Sequence, residues 1–292
     1  MAIAPDRFAA FIAIDWSGAV GERQRGIAVA LCRHGSDAPR LLGTPGMWSR
    51  QQVGSFLLTN LSQNTLVGLD LGTSLPFVDR AAYFPGWSET PADARALWAL
   101  IDRLCAADPH LSATSFVDHV EAARHFRRHG ARQGDLFEPG RGRLRETERA
   151  QGLMGLNPVS NLNLVGAAQV GKSSLTGMRL LHQLGDRIPV WPFDVAPGTG
   201  PLLVEIYTSL AAREAGRPPG RSKMRDTASL NLALASLGSD PLPDTGPIDD
   251  HASDAILTAA WLRVAAPRAA LWTPAALTAK IARTEGWTFG VA

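Results

Sequence analysis

Apolar residues cluster along the chain in short runs that are typical of buried β-strands. The runs are bounded by Gly, Pro, Ser or Asp, which interrupt strands and begin turns. A further apolar run, within residues 188–198, is broken by prolines and predicts only a short strand. The main strands of a central sheet are therefore predicted near residues 8–16, 25–33, 38–44, 65–71 and 202–207.

Other segments place apolar residues at the spacing of an amphipathic helix. Ser49 stands at the start of one of these segments, where its side chain can cap the first turn. A further helical stretch is predicted to begin within residues 221–226. The periodicity predicts helices over residues 49–61, 91–106, 174–185 and 249–266.

The order of these elements predicts one α/β domain over residues 1–292. Three strands, a helix and a fourth strand come first, and the fifth strand follows only after a long interval. We therefore expect a mixed five-stranded sheet with flanking helices. Residues 74–200 are predicted to form an insertion, between the fourth and fifth strands, that packs on this core.

Composition narrows the class of protein without identifying it. The chain has 292 residues, of which 45% are hydrophobic and 19% charged, a balance typical of a globular protein. It has no apolar run of about eighteen residues, so no membrane span is expected. The apolar run near the N-terminus contains an Asp and reads as a strand, not a signal peptide. Cys32 and Cys105 are too few for a disulfide framework or a zinc site, and a cytoplasmic location is expected.

Three of the predicted strands carry a single acidic residue at or near the C-terminal end. These residues are Asp15, Asp70 and Glu205. A buried charge costs several kcal/mol unless it is paired or bound to a metal. One such residue is commonly a hydrogen-bond acceptor in a turn, but three of them indicate a shared site.

The helix predicted over residues 249–266 adds further candidate ligands. Asp250 and Asp254 are four residues apart and share a helix face, and His251 lies three residues before Asp254. N-terminal capping and the helix dipole account for Asp249 and Asp250. They do not account for Asp254, which lies beyond the first turn. Asp254 is therefore the stronger functional candidate.

A cluster of carboxylates is the ligand set that Mg²⁺ and Mn²⁺ prefer, because both ions favour oxygen donors. Two such ions about 4 Å apart can hold the attacking and the leaving oxygen of a phosphodiester. The candidate metal ligands are Asp15, Asp70, Asp250, His251 and Asp254, with Glu205 as a further catalytic carboxylate. We expect two Mg²⁺ or Mn²⁺ ions and a metal-dependent nuclease.

Several motifs across nearly the whole chain resemble the domain of unknown function 429 family, whose members are predicted to be ribonuclease H-like nucleases. The motifs are "IDWSGA" (14–19), "GLDLGTSLP" (68–76), "QVGKSSLTGM" (169–178), "VWPFD" (190–194), "VEIYTS" (204–209), "DDHASDAILTAA" (249–260) and "EGWTFGV" (285–291). Thr208 stands where the family usually has Pro. The likeness implies a ribonuclease H-like fold, in agreement with the order of strands and helices.

The segment "HASDAILTAA" also resembles the metal-binding helix of bacterial Holliday-junction resolvases. By these likenesses Asp15 bridges two ions, Asp70 holds one, and Asp254 with Asp250 or His251 holds the other. Glu205 either ligates directly or orients a metal-bound water. The implied products carry 5′-phosphate and 3′-hydroxyl ends.

A second motif points to a different chemistry. Gly166 to Ser173 fits the spacing of a phosphate-binding loop, and the apolar run 162–165 precedes it. Too little chain follows for the full parallel sheet of such an enzyme, and the acidic residue of the next strand is Glu205 where Asp is usual. We expect this match to be incidental, with Lys172 at most a lone phosphate contact.

Basic residues indicate nucleic acid as the partner. Residues 124–149 contain eight Arg against four acidic residues, and Arg221, Lys223 and Arg225 lie between the Glu205 strand and the acidic helix. Such side chains grip phosphates and give salt-dependent binding. Solvated surface charge is the alternative explanation.

Two other functions remain open at this stage. "DLGTS" at 70–74 resembles a phosphate loop of actin-like sugar kinases, although those enzymes place it on their first strand. A non-catalytic ribonuclease H-like binding domain would keep the acidic residues for structural reasons alone. Metal-dependent stabilisation would distinguish a nuclease from both, since a kinase needs a nucleotide and a scaffold needs neither.

Overall fold

The structure is a computed structural model that describes residues 4, 6–43, 47–166, 170–218, 223–243 and 246–292. Within these residues one sheet contains strands from both halves of the chain. Its strands are β1 (Ala10–Asp15), β2 (Ala28–Arg33), β3 (Arg40–Leu42), β4 (Thr65–Asp70), β5 (Val190–Trp191) and β6 (Leu202–Glu205). The described residues also form α1 (Arg50–Thr59), α2 (Ala94–Leu104), α3 (Thr114–Val117), α4 (Glu146–Leu153), α5 (Val170–Leu184), α6 (Thr208–Glu214), α7 (Thr227–Ser236), α8 (Asp250–Ala265) and α9 (Ala279–Thr284).

The sheet is mixed, as the sequence predicted, and its strand order is β3-β2-β1-β4-β6-β5. Strand β2 is antiparallel to β1 and β3, whereas β1, β4, β6 and β5 run parallel to one another. All five predicted strands are present, but the predicted count of five is wrong. Val190 and Trp191 add a sixth strand beside β6. This strand is only two residues long and is followed by Pro192, so periodicity could not assign it to the sheet.

The predicted helices are present, with shifted ends. Helix α1 begins after Ser49, whose side chain accepts a hydrogen bond from the Gln52 amide. Helix α8 begins after Asp249, which caps the first turn. Helix α5 begins at Val170, four residues before the predicted start, and α7 begins at Thr227. Among the described residues, no helix combines the length and apolar character needed to cross a bilayer.

The sheet separates two apolar cores, and the alternation of side chains along each strand assigns residues to them. In β1, Ile12 and Ile14 face the core that contains α2 and α5, whereas Phe11 and Ala13 face the core that contains α8. By the same alternation Asp15, the last residue of β1, points towards α8. This parity decides which acidic residues can meet.

The long interval between β4 and β6 supplies α2, α3, α4, α5 and β5. Helices α2 and α5 pack against each other, and both contribute to the core on the face of the sheet opposite α8. The loop after β1 approaches α5 so closely that a Cβ on Gly18 would lie 2.4 Å from the Ser173 amide nitrogen. Residues of the interval therefore support the ends of the central strands.

We predict that Gly18→Ala lowers the free energy of unfolding by about 1–3 kcal/mol, because the added methyl meets the α5 backbone and not a movable side chain. Urea unfolding monitored by circular dichroism measures the change. Gly152→Ala is the matched control, since a Cβ at this exposed α4 position meets no atom within 4 Å. The control should change stability by less than about 1 kcal/mol. Equal stabilities of Gly18→Ala and wild type would contradict the close approach.

Candidate functional site

Two carboxylates meet at the C-terminal ends of neighbouring parallel strands. Asp15 ends β1 and Asp70 ends β4, and the register of the two strands places these residues directly opposite each other. Paired strands lie about 4.8 Å apart, and paired residues point to the same face of the sheet. Both side chains therefore lie on the face that is covered by α8. Asp15 is buried, whereas Asp70 keeps part of its surface exposed.

Helix α8 brings two further polar side chains to this face. The His251 Nδ1 lies 2.8 Å from the Asp15 Oδ2, although the two residues are 236 positions apart in sequence. Asp254, one turn further along α8, is buried and accepts a hydrogen bond from the Lys223 Nζ. The charges of Asp15 and Asp254 both act on Asp70. The predicted group of Asp15, Asp70, His251 and Asp254 is thus brought together by the fold.

The three aspartates are short of positive charge. Burial, followed by the charges of Asp15 and Asp254, raises the pKa of Asp70 well above its usual value. Burial raises the pKa of Asp254 to about 6, although Lys223 opposes the effect. Burial also raises the pKa of Asp15 against the hydrogen bond from His251. Additional positive charge at this face would be stabilised by all three carboxylates.

Two basic side chains already compensate part of this charge. The hydrogen bond to Asp15 raises the pKa of His251. Burial lowers the pKa of Lys223, but Asp254 outweighs burial and leaves that pKa raised, with smaller contributions from Asp15 and Asp70. Lys223 was predicted to contact phosphate, and the structure instead places it on a carboxylate of the site.

Asp250 occupies a different position from the other acidic residues of α8. Its carboxylate accepts hydrogen bonds of 2.9 and 3.1 Å from Arg225, and the side chain of Arg225 is 78% exposed. The hydrogen bond from Arg225 lowers the pKa of Asp250. Of the two alternatives left by the sequence, His251 is therefore the one that contacts Asp15, while Asp250 forms a surface ion pair with the predicted phosphate contact Arg225.

Glu205 lies on the other face of the sheet. In the parallel pairing of β4 and β6 it lies opposite Leu69, not Asp70, and shares the face of Leu203. Its Oε2 accepts hydrogen bonds from the amide and hydroxyl of Thr73, both 2.7 Å, and from Arg145 at 2.8 Å. Its Oε1 accepts from Arg145 and from the Thr288 hydroxyl.

These contacts saturate the carboxylate of Glu205. Burial raises its pKa, but the positive charge of Arg145 and the hydrogen bonds outweigh burial and leave the pKa lowered. An acceptor with five donors has little capacity left for a metal ion. The contacts of Glu205 therefore differ from those expected of the metal ligand or catalytic carboxylate predicted from the sequence.

Arg145 is a buried residue of the cleft that the sequence did not reveal. It is 1% exposed and also pairs with Glu148, three residues later. The sequence places it in an Arg-rich stretch, where the simplest reading is a solvated loop or a phosphate contact. The only local signal was Glu148 at the position of a capping box, whose side chain accepts from the Arg145 amide.

A cleft of about 380 Å³ connects the two faces at this edge of the sheet. Asp15, Asp70, His251 and Lys223 line one side, and the Arg145–Glu205 pair lines the other. The side-chain amides of three further residues, Gln151, Asn157 and Asn161, add hydrogen-bonding groups to the wall. The cleft therefore combines an aspartate-rich end with a wall of paired charges and side-chain amides.

The phosphate-loop interpretation finds no support in the local structure. Residues 162–165 form turn and irregular structure, with one isolated bridge at Asn163, and not a strand of the sheet. Lys172 lies in the first turn of α5 and lines a separate pocket. Residues 167–169 and Arg221, another predicted phosphate contact, lie outside the described residues.

The carboxylates suit a hard cation by chemistry, since their oxygens are the donors that Mg²⁺ and Mn²⁺ prefer. The described residues nevertheless contain no group of three or more His, Cys, Asp or Glu side chains arranged to hold a metal ion. Two of the carboxylates are instead turned towards His251 and Lys223. Metal binding would require the Lys223 ammonium to leave Asp254, and Lys223 is half exposed and can do so.

The raised pKa of Asp254 predicts how stability depends on pH in the presence of a chelator. A pKa near 6 in the folded state, against 3.8 as its ordinary value, stabilises the fold fully below 3.8. This contribution is lost as the pH rises through about 6. Asp254→Asn should therefore be more stable than wild type by about 1–3 kcal/mol at about pH 8, and the difference should shrink by about pH 4.

Urea unfolding across this pH range measures the effect. Asp250→Asn is the matched control, because the pKa of Asp250 is lowered by Arg225, whose side chain is 78% exposed. Its loss should cost less than about 1 kcal/mol, with the opposite dependence on pH. A difference between Asp254→Asn and wild type that does not vary with pH would contradict the buried, charge-deficient site.

The amino-acid sequence was also compared with known proteins. No protein-family model, no curated protein and no solved structure matches it. The likeness to the domain of unknown function 429 family, carried by short motifs, therefore remains a prediction. The geometry of Asp15, Asp70, Asp254 and His251 is the basis for assigning a function.

Proposed function

We propose that the protein is a metal-dependent nuclease that hydrolyses phosphodiester bonds in nucleic acid, built on a ribonuclease H-like fold. The observation that carries this proposal is the convergence of Asp15, Asp70 and Asp254 on one face of the sheet, with too little positive charge around them. Structural carboxylates are normally neutralised by their neighbours, as Glu205 is by Arg145. Functional sites commonly hold groups with perturbed pKa values.

The fold supports the same proposal. The three N-terminal strands are antiparallel, α1 follows them, and β4 and β6 extend the sheet in parallel with β1. This is the order of elements on which the ribonuclease H-like expectation was based. Helix α8 then crosses β1 and β2 and delivers its acidic first turns to the ends of the strands.

Asp15, Asp70 and Asp254, with His251, are the residues that would hold Mg²⁺ or Mn²⁺. When bound, such ions lower the pKa of an attacking water and stabilise the leaving oxygen of a phosphodiester. Lys223, once it leaves Asp254, stays at the rim of the cleft as a free ammonium. It then serves as the phosphate contact that the sequence predicted.

Glu205 and Arg145 act as positioning residues in this proposal. Glu205 accepts two hydrogen bonds from Thr73, in the turn that follows Asp70, and Ser174 of α5 accepts one from the Gly72 amide. Together these contacts fix the backbone just after Asp70. The loop after Asp15 is fixed in the same way, because the Trp16 indole donates to the Thr176 hydroxyl at 3.0 Å.

A non-catalytic binding domain is the second candidate, and one observation favours it. His251 and Lys223 pair with Asp15 and Asp254, so each of these two aspartates has a basic partner within the protein. If the aspartates serve only to form these structural pairs, divalent ions will neither stabilise the protein nor support hydrolysis. The following experiment separates the two candidates.

We predict that wild type is stabilised by Mn²⁺, by about 2.7 kcal/mol when the free ion exceeds its Kd a hundredfold, and that it hydrolyses nucleic acid with Mn²⁺ or Mg²⁺. Asp15→Asn keeps the size of the side chain but removes its charge. It should lose the Mn²⁺ stabilisation and lower the rate by about 100-fold or more. Thermal unfolding with and without chelator, and cleavage of labelled DNA and RNA, measure both effects.

Asp240→Asn serves as the charge-matched control, because Asp240 is exposed and contacts only Ser36 through its side chain in the described residues. It should behave as wild type in both assays. A wild type that shows neither Mn²⁺ stabilisation nor cleavage would favour the binding domain. Hydrolysis of a nucleoside triphosphate that survives Asp15→Asn but is lost in Lys172→Ala would refute the nuclease proposal.

Glu205→Gln tests whether Glu205 binds the metal or only positions the turn after Asp70. Removing one partner of a buried ion pair should lower the free energy of unfolding by about 3 kcal/mol, because Glu148 is then the one charged partner left to Arg145 among the described residues. The stabilisation by Mn²⁺ should remain. Glu138→Gln, which breaks the exposed pair with Arg80, should cost less than about 1 kcal/mol. Loss of the Mn²⁺ stabilisation in Glu205→Gln would identify Glu205 as a metal ligand.

A further inference from the structure

A second pocket, of about 180 Å³, lies beside the aspartate cleft and carries an excess of positive charge. Lys172, Arg128 and Arg132 line it, and the only carboxylate in its lining is Asp118. Asp118 lies 3.0 Å from Arg128 and 3.8 Å from Arg132, so one acidic side chain serves two arginines. Among the described residues, Lys172 has no carboxylate partner.

The backbone of the loop that carries the two arginines is ordered, and Arg128 has an unused donor. A tight loop carries the two arginines, with the Arg128 amide donating to the Arg132 carbonyl at 2.7 Å and a bridge between Arg127 and Gln133. The Nε of Arg128 is buried and has no hydrogen-bond partner in the described residues. A buried donor of this kind destabilises the fold unless a ligand satisfies it. The pocket is therefore suited to an anion.

The remaining wall of the pocket is mixed, with polar side chains from Ser112, Thr114, His129 and Thr176 beside an apolar patch. Val20, Val117, Leu164 and Leu175 contribute to that patch. Free inorganic phosphate has no apolar surface to pack against these side chains, whereas a nucleotide carries a base and a sugar next to its phosphate. A base can enter a concave pocket only when it is unpaired and unstacked from its neighbours. Charge and apolar surface together fit one nucleotide of a single strand.

The pocket and the cleft lie on either side of two segments that contact each other, the loop after β1 and the start of α5. In the loop after β1, Trp16 lines the cleft and Gly18 lines the pocket. In α5, Ser173 lines the cleft and its neighbour Lys172 lines the pocket. A strand bound with one phosphodiester at the aspartates would pass over the contact between Gly18 and α5 to reach the pocket.

We infer that this pocket binds a nucleotide of the substrate strand a short distance from the scissile bond, and that the substrate is single-stranded nucleic acid. The inference rests on the proposed nuclease function, because a scissile bond exists only if the protein cleaves its ligand. Binding to the pocket can be measured without cleavage. Lys172 and the two arginines contact the phosphate, and the apolar patch contacts the base. The protein should then prefer strands long enough to span both sites.

The test measures binding in the presence of chelator, so that no cleavage occurs. The probes are fluorescein-labelled oligothymidylates and oligouridylates from two to about twelve nucleotides long. The variants are wild type, Lys172→Gln/Arg132→Gln, and a matched control, Arg40→Gln/Arg283→Gln, which removes two exposed arginines outside both cavities. Thermal unfolding establishes that each variant is folded.

We expect the affinity of wild type to rise about tenfold or more with length. The pocket variant should lose that gain while binding the dinucleotide as wild type does. The slope of its log binding constant against log salt concentration should become shallower by about 0.7 for each phosphate contact removed. The control variant should bind the DNA and RNA probes with the same affinity as wild type.

Three results would overturn the inference. The first is equal binding of the long probe by wild type and the pocket variant. The second is binding of a duplex that is as tight as that of a single strand and is weakened as much by the pocket substitutions. The third is competition by polyglutamate as effective as that by an oligonucleotide. The proposed nuclease function fails separately. Length-dependent binding that the pocket variant loses, together with no cleavage by wild type in Mn²⁺, would support the pocket and reject the nuclease.

Discussion

The parallel register of β1 and β4 is the constraint on which the site depends. It sets Asp15 opposite Asp70 on one face of the sheet, about one strand spacing apart, beneath helix α8. Two like charges at this distance raise the free energy of the folded chain, and Asp254 from α8 adds a third. The neighbouring basic groups follow from this constraint, since His251 and Lys223 lie where they reduce the repulsion.

The opposite face of the sheet shows how the same kind of group is used structurally. Glu205 ends β6 as Asp70 ends β4, yet it is fully paired with Arg145 and accepts from Thr73 and Thr288. These contacts join the interval that contains α4, the turn after β4 and the C-terminal segment. A fully satisfied network of this kind rigidifies its surroundings. This network fixes the Arg145–Glu205 side of the cleft, while the incompletely neutralised aspartates remain available for a ligand.

The sequence predicted the main strands, the principal helices and the acidic residues of α8, because each depends on local periodicity and capping. It could not predict how β6 registers against β4. A shift of one residue moves Glu205 to the other face, and no local pattern records that shift. The two-residue strand β5 and the burial of Arg145 were hidden for a similar reason, since both depend on partners distant in sequence. His251 could be distinguished from Asp250 only when the direction of α8 was known.

The motif at Gly166–Ser173 shows why spacing alone does not identify a phosphate-binding loop. Gly171 is required by close packing, since a Cβ there would lie 2.4 Å from the Asn161 carbonyl oxygen. Just beyond the motif, Ser174 and Thr176 receive hydrogen bonds from the loops that follow Asp70 and Asp15. The small and hydroxyl residues of this segment therefore hold two aspartate-bearing loops against α5. The same residue types that cradle a phosphate in other proteins here position the carboxylates, because both tasks need close backbone approach and short hydrogen-bonding side chains.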